Sequence, residues 1–119
     1  MTAQNLTREN FFESVLKVAP DFRSTYEEHI KDNDEVLVHL LMADLTRFVL
    51  TQCSECAGVP GSILPLLSLL EEGINSSDDY LSNAVAVSFV ENLQGEPALP
   101  LLRPNLGSGL SEQLRKFGV

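Results

Sequence analysis

The sequence predicts an all-α fold, a compact bundle of five to six helices formed by residues 1–119 as a single domain. Apolar residues recur at intervals of three and four along almost the whole chain, which is the spacing of helices that are buried on one side. Proline and glycine mostly stand between these runs, where helices begin and end. A length of 119 residues, with 44% hydrophobic and 21% charged residues, suffices for one core but not for a second domain.

Three helices are predicted in the first half of the chain. The first has about three turns, with Thr7 as its N-cap, and is stopped by Pro20. The second ends at the polar sequence "KDND". Asp34 is then the expected N-cap of the third and longest helix, which runs from about Glu35 to Cys53. The helical spacing is carried by Phe12, Val15, Leu16 and Ala19, by Phe22, Tyr26 and Ile30, and by Val36, Leu37, Leu40, Leu41, Leu45, Phe48 and Val49.

The fourth and fifth helices are predicted on either side of the turn "GINSS". Ser62 is the expected cap of the fourth helix, in which Pro65 is tolerated because first-turn amides have no helical partner. Gly73 is expected just beyond its end, and Ser77 is the expected cap of the fifth helix. The two helices are expected to form an antiparallel pair like one unit of a HEAT-type solenoid.

The fifth helix has a competing interpretation as a strand, because Val85, Val87 and Phe89 alternate with other residues. The helix is preferred because its pattern continues for about four turns, whereas the alternation is short. Prolines 97, 100 and 104 then predict an extended segment, which leucines hold against the helices, followed by a short C-terminal helix. The leucines are Leu99, Leu101 and Leu102, and the last helix is defined by Leu110, Leu114 and Phe117 and ends at Gly118.

The net charge of −9 is unevenly distributed. Residues 48–102 contain seven Asp or Glu and no Lys or Arg, whereas the rest of the chain has ten acids and eight bases. A field of this sign repels phosphate backbones and attracts basic proteins, so it argues against nucleic acid as a ligand and for a basic protein partner. The alternative is that the acidity only keeps the protein soluble. The expected partner-binding residues are Glu71, Glu72, Asp78 and Asp79.

The motif "CSEC", residues 53–56, is the spacing that a redox dithiol or half of a zinc site would have. A redox pair needs a helix N-terminus, whereas this pair is expected at a C-terminal end, beside Glu55. Zinc needs further ligands, and His39 lies about 21 Å before Cys53 along the same helix. Only His29 could then join the cysteines, so no metal and no cofactor are predicted.

Two histidines and the loop "LGSG", residues 106–109, are the other candidates for chemistry. His29 and His39 could each act as a general base, but neither has a nucleophile near it in the sequence. The loop could bind an anion at a helix N-terminus, although without a following lysine a turn and cap is the simpler interpretation. No catalytic residue is therefore predicted.

The third helix also places Asp44 three residues before Arg47, an order that favours an ion pair. Thr51 and Glu55 continue the same polar stripe on an otherwise apolar helix. The stripe could be a solvated seam, a buried polar contact that fixes how helices dock, or a recognition site. The sequence leaves the three open.

Two stretches, "YEEHIKDNDEVLVHLLMADLTRFVL" and "LLSLLEEGINSSDDYLSNAVAVSFVENL", resemble a family of small bacterial all-helical domains of unassigned function. The resemblance covers roughly Phe11 to Leu93 and continues more loosely through "LGSGLSEQLRKF". It implies an all-helical fold and a similarity to candidate immunity proteins of bacterial toxin systems. Cys53 and Cys56 are not part of the resemblance.

Three functional hypotheses follow. The first is an immunity protein that binds a cognate toxin domain, most simply a basic nuclease, and occludes it without catalysis. The second is an interaction or regulatory module with a different partner, and the third is a small enzyme that uses His29 or His39. A polar N-terminus without the features of a signal peptide, no apolar run long enough for a membrane, and only two cysteines predict the cytoplasm.

Overall fold

The computed structural model describes residues 6–56 and 58–118, apart from the side chain of Cys56. Within these ranges the chain forms seven α-helices and no β-strand, so the prediction of an all-α fold is confirmed, whereas the predicted number of five to six helices is too low. The helices are α1 (Phe11–Val18), α2 (Arg23–Asn33), α3 (Val38–Cys56), α4 (Leu64–Ile74), α5 (Asp79–Ala84), α6 (Leu99–Leu102) and α7 (Ser108–Lys116). None of them is both long enough and apolar enough to cross a membrane.

The core lies between α1, α3, α4 and the helical segment that follows α5. Phe11, Phe22 and Phe89 are its largest fully buried side chains. Gly73 lies inside α4 and not beyond its end, so the predicted role of Gly73 as a stop is wrong. A Cβ atom there would be 3.2 Å from both Phe11 Cε1 and Val85 Cγ2, and its absence lets α1 and the segment after α5 pack closely against α4.

The predicted caps in the first half of the chain are also wrong. Thr7 is not the N-cap of α1, because the helix begins at Phe11 and Asn10 occupies the cap position; the side chain of Asn10 accepts the backbone N–H of Thr7 at 2.8 Å. Asp34 has a φ of 61° and ends α2 in the left-handed conformation instead of capping α3. Asp adopts this conformation more readily than most residues, so the chain turns there and α3 starts later than predicted, at Val38.

The helical interpretation of the fifth element is confirmed, but the element is irregular. Asp78, and not Ser77, is its N-cap, and Ser62 similarly lies within a 3₁₀ turn that precedes α4. After α5 the helix widens into a π-helix, Val85–Val90, and then tightens into a 3₁₀ turn, Glu91–Leu93. The π-helix packs against α3.

The prediction of an extended proline-rich segment is wrong, because α6 and a 3₁₀ turn, Arg103–Asn105, form there. Pro100 and Pro104 each lie at the second position of these short helices, where the missing amide hydrogen has no helical partner to lose. Leu99 and Leu102 are buried as predicted, whereas Leu101 is 42% exposed. α4 and α5 pack together, and their likeness to a HEAT-type pair stays a prediction.

Candidate functional site

The candidate site is the acidic surface at the junction of α4 and α5, against which the C-terminal helix α7 packs. It contains the four residues predicted to bind a partner. Five of the seven acids within residues 48–102 are exposed, and the remaining two, Glu71 and Asp78, bind groups elsewhere in the chain. The exposed acids are Glu55, Glu72, Asp79, Glu91 and Glu96.

Glu71 binds the N-terminus of α7 with both carboxylate oxygens. Oε2 accepts the N–H of Gly109 at 2.7 Å, and Oε1 accepts the N–H of Leu110 at 3.0 Å. The side-chain amide of Asn75 donates to Oε2 at 2.9 Å, which fixes the carboxylate further. First-turn amides of a helix have no partner within it, and the helix dipole favours a negative charge there. Glu71 therefore joins α4 to α7.

The loop "LGSG" is thus an anion site whose anion is the protein's own Glu71. A Cβ atom at Gly107 would lie 2.5 Å from Glu71 Cδ, and one at Gly109 would lie 2.8 Å from Glu71 Oε2. Both positions need glycine if the carboxylate is to approach the backbone this closely. The two alternatives considered for this loop, an anion site and a helix cap, are consequently the same contact.

Asp78 is held in a comparable way at the N-terminus of α5. Its Oδ1 accepts the N–H of Tyr80 at 3.0 Å, and its Oδ2 accepts the backbone N–H of Arg8 at 2.8 Å. The guanidinium of Arg8 also pairs with Oδ1, at 3.2 Å. The backbone hydrogen bond from Arg8 lowers the pKa of Asp78 most; desolvation opposes it, while the Leu81 amide and the Arg8 guanidinium lower the pKa further.

Glu72 and Asp79 are the two predicted residues that remain at the surface. Asp79 lines an open polar groove of about 520 Å³ between α5 and α7. Glu112 and Lys116 from α7 face the same groove, together with the side-chain amides of Asn83 and Gln113. The four predicted residues therefore do not form one free acidic patch, since two of them hold the fold together and two face solvent.

A match to a known protein family covers the whole candidate site. Residues 12–117 match DUF7674, a domain of unknown function. The chain belongs to the DUF7674 family. The family's span includes both Glu71 and the loop that binds it, and the resemblance to a small domain of unknown function is confirmed. Neither the curated proteins nor the solved structures include a match to this chain.

His39 of this DUF7674 domain has a partner that its position in the sequence does not show. Its Nδ1 lies 2.8 Å from the hydroxyl oxygen of Ser88, which is in the π-helix. Ser88 is only 9% exposed, and its carbonyl accepts the hydroxyl of Thr46 at 3.0 Å. The pair joins α3 to the π-helix, and the burial of Ser88 does not favour a role as a nucleophile, which must reach its substrate.

His29 is also a structural residue. It is 4% exposed, and its Nε2 accepts the N–H of Leu37 at 2.9 Å. An imidazole that accepts at Nε2 carries its proton at Nδ1 when it is neutral. His29 thereby satisfies an amide at the turn between α2 and α3, directly before the start of α3.

The charged side chains in the polar stripe of α3, those of Asp44, Arg47 and Glu55, are accessible to solvent. Arg47 pairs with Asp44, and their side chains are 67% and 25% exposed, which matches the solvated seam among the three alternatives. The buried polar contact lies on another face of the same helix, at Thr46. A threonine inside an apolar helical run was the only sequence signal for it.

Cys53 is fully buried in the core, and the side chain of Cys56 lies outside the described residues. In the part of the chain that the structure describes, no three His, Cys, Asp or Glu side chains come together as metal ligands. The Nε2 atom of His29 already accepts the N–H of Leu37, which leaves only Nδ1 for a metal.

Proposed function

We propose that this DUF7674 domain is an immunity protein, which binds a cognate bacterial toxin domain in the cytoplasm and neutralises it by occlusion. The observation that carries the proposal is the charge of residues 48–102, a segment in which five acids are exposed and no Lys or Arg is present. The most suitable toxin is a basic nuclease. A nuclease must attract phosphate, so an acidic protein can bind the same cleft.

The proposed mechanism is steric and electrostatic, without catalysis, cofactor, nucleic acid or membrane. Glu72 and Asp79 present their charges to solvent, whereas the charges of Glu71 and Asp78 are offset by a helix N-terminus and by Arg8. The exposed pair therefore steers the partner, and the polar groove beside Asp79 offers it hydrogen-bonding groups. Steering of this kind raises the association rate more than it lowers the dissociation rate.

The experiment measures association of the purified domain with the toxin domain encoded beside its gene, at low and high salt. The test variant combines Glu72→Lys, which reverses one exposed charge, with Asp79→Asn, which removes the other. Glu71 and Asp78 stay in place. The matched control is Glu28→Lys with Asp32→Asn on α2, two exposed acids that undergo the same change in charge. We expect the first variant to associate about tenfold more slowly at low salt and the control to change less than about twofold.

Three outcomes decide the proposal. Unchanged association rate and unchanged salt dependence in the first variant contradict the placement of the surface. Slower association in the control alone moves the interface to α2, near Glu27, Glu28 and Asp32. If no toxin gene is adjacent and no toxin domain binds, the interaction or regulatory module becomes the better function.

A further inference from the structure

A second concave surface lies at the beginning of α3, on the side of Asp78 that faces the N-terminal segment. It is a groove of about 470 Å³ lined by Arg8, Glu9, Val36, Val38 and Tyr80, called here the Tyr80 groove. Its volume is within the range of roughly 300–1,000 Å³ of clefts that hold ligands or anchoring side chains. None of the four residues predicted to bind a partner lines it.

Tyr80 is held in position although its side chain is exposed. Its ring packs edge-on against the ring of His39, with centroids 5.4 Å apart, and the guanidinium carbon of Arg8 lies 4.6 Å from the Tyr80 ring centroid. His39 is itself held by Ser88, and Arg8 by Asp78. Tyr80 is nevertheless 42% exposed. Tyrosine and arginine are enriched among residues that dominate interface energies, and a ring fixed before binding loses little conformational entropy.

Exposed leucines adjoin the groove in the chain. Leu37 lies between Val36 and Val38 and is 38% exposed, and Leu40 in the first turn of α3 is 50% exposed. Leu40 is the most exposed large hydrophobic residue of the described chain. Exposed apolar side chains close to a groove are typical of sites of protein association.

The charges around the groove are acidic. Arg8 is the one base among its lining residues, and the carboxylate of Asp78 pairs with it. Glu9 lines the groove and Glu35 precedes Val36 in the chain, and both side chains are exposed. The arrangement has an apolar centre and a charged rim, as protein interfaces do.

We propose that the Tyr80 groove binds a basic amphipathic helix of a protein partner. One or two apolar side chains of that helix occupy the groove between Tyr80 and the first turn of α3, and its Lys or Arg residues face the acidic rim. Helices bind in grooves through apolar residues at intervals of three and four, and their flanking charges select the partner. A second copy of this chain does not fit, because the acidic rim would face another acidic rim.

This inference rests on the proposed function, from which it takes a basic partner. It adds that the bound part of that partner is an amphipathic helix. Its test uses a fluorescein-labelled peptide of about 18 residues, roughly five helical turns, with Leu on one face and Lys on the other. Fluorescence anisotropy measures its affinity for the intact domain. A peptide of the same composition with scrambled spacing, and one with Glu in place of Lys, are the controls.

The informative variants are Leu40→Asp and Tyr80→Asp, and the matched control is Leu64→Asp. All three residues lie in the first turn of a helix and are 42–50% exposed, and each change adds one negative charge. Asp is favoured in the first turn of a helix, so all three variants should fold, which thermal melting verifies. Leu40→Asp leaves the contacts that hold Tyr80 unchanged. The test therefore remains valid with this variant alone if Tyr80→Asp does not fold.

We expect each informative variant to weaken peptide binding about tenfold or more, and Leu64→Asp to weaken it less than about twofold. Purely electrostatic binding predicts the opposite result, because the added charge would strengthen attraction for a basic peptide. The proposal is overturned if the three variants bind alike or if either control peptide binds as tightly as the amphipathic one. It is also overturned if the domain is a dimer that Leu40→Asp dissociates, since the groove is then occupied by a second copy.

The two proposals can fail separately. If the amphipathic peptide does not bind but the toxin domain does, the groove proposal is wrong and the immunity function stands. If the peptide binds and no toxin domain does, the groove belongs to an interaction module with another partner.

Discussion

The contact between Glu71 and α7 gives the most direct test of how this domain is held together. Glu71→Ala removes the acceptor of two first-turn amides, those of Gly109 and Leu110, along with a negative charge at a helix N-terminus. Losing a side-chain helix cap costs about 0.5–2 kcal/mol, and losing a favourable charge there costs about 0.3–1 kcal/mol more. We therefore expect a loss of roughly 1–3 kcal/mol in the free energy of unfolding, or about 4–12 °C in Tm for a domain of this size.

Glu72→Ala is the matched control, because it removes the adjacent acid from the same helix but an exposed one. Its effect should stay within about 0.5 kcal/mol. Urea denaturation measures both variants. The atoms that Glu71→Ala removes correspond to one acetate ion, so acetate should restore part of the lost stability, whereas chloride at equal ionic strength should not. Equal losses in the two variants, with no effect of acetate, would refute this account of Glu71.

Three further predictions concern single side chains. Because the pKa of Asp78 is lowered in the folded state, its carboxylate stabilises the fold at pH values above the ordinary pKa of 3.8, and this contribution is lost as the pH falls through the folded-state pKa. In Asp78→Asn the free energy of unfolding should therefore fall less steeply as the pH decreases through this range. His29→Phe leaves the amide of Leu37 without its acceptor and should cost about 1–3 kcal/mol in urea denaturation, with faster hydrogen exchange at Leu37. Asp44→Ala should cost under about 0.5 kcal/mol, because its partner Arg47 is solvated; a loss above about 1 kcal/mol would contradict the solvated seam.

Helical spacing was a reliable guide to which residues are buried, and local turn chemistry was less so. Leu41, Leu45 and Val49 are fully buried as the pattern predicts. Leu37 and Leu40 belong to the same pattern but are exposed, because Leu37 precedes α3 and Leu40 lies on the face of α3 opposite Val38 and Leu45. The proline-rich segment misled the prediction for a different reason, since its prolines lie in the first turns of short helices, where they are compatible with a helix.

The candidate site could be predicted only in part, because its decisive contacts join distant parts of the chain. The density of acids at the junction of α4 and α5 is visible in the sequence. The engagement of Asp78 by Arg8, 70 residues away, and of Glu71 by Gly109, 38 residues away, is not. Glu71 and Asp78 therefore differ from Glu72 and Asp79, although all four were predicted to bind a partner. Only the glycines of the "LGSG" loop indicated an anion.

The π-helix has a consequence for how the length of this segment can vary among relatives. A π-helical turn closes its hydrogen bonds over one more residue than an α-helical turn, so the segment Val85–Val90 holds one residue beyond what a straight α-helix would need. A relative that lacks one residue there can keep an unbroken helix, but every side chain before the deletion then rotates relative to those after it. Ser88 would no longer face both His39 and Thr46. A gap at this place in an alignment should therefore be accompanied by a different residue at the position of His39, whereas Thr46 can still donate to the carbonyl of Met42 within its own helix.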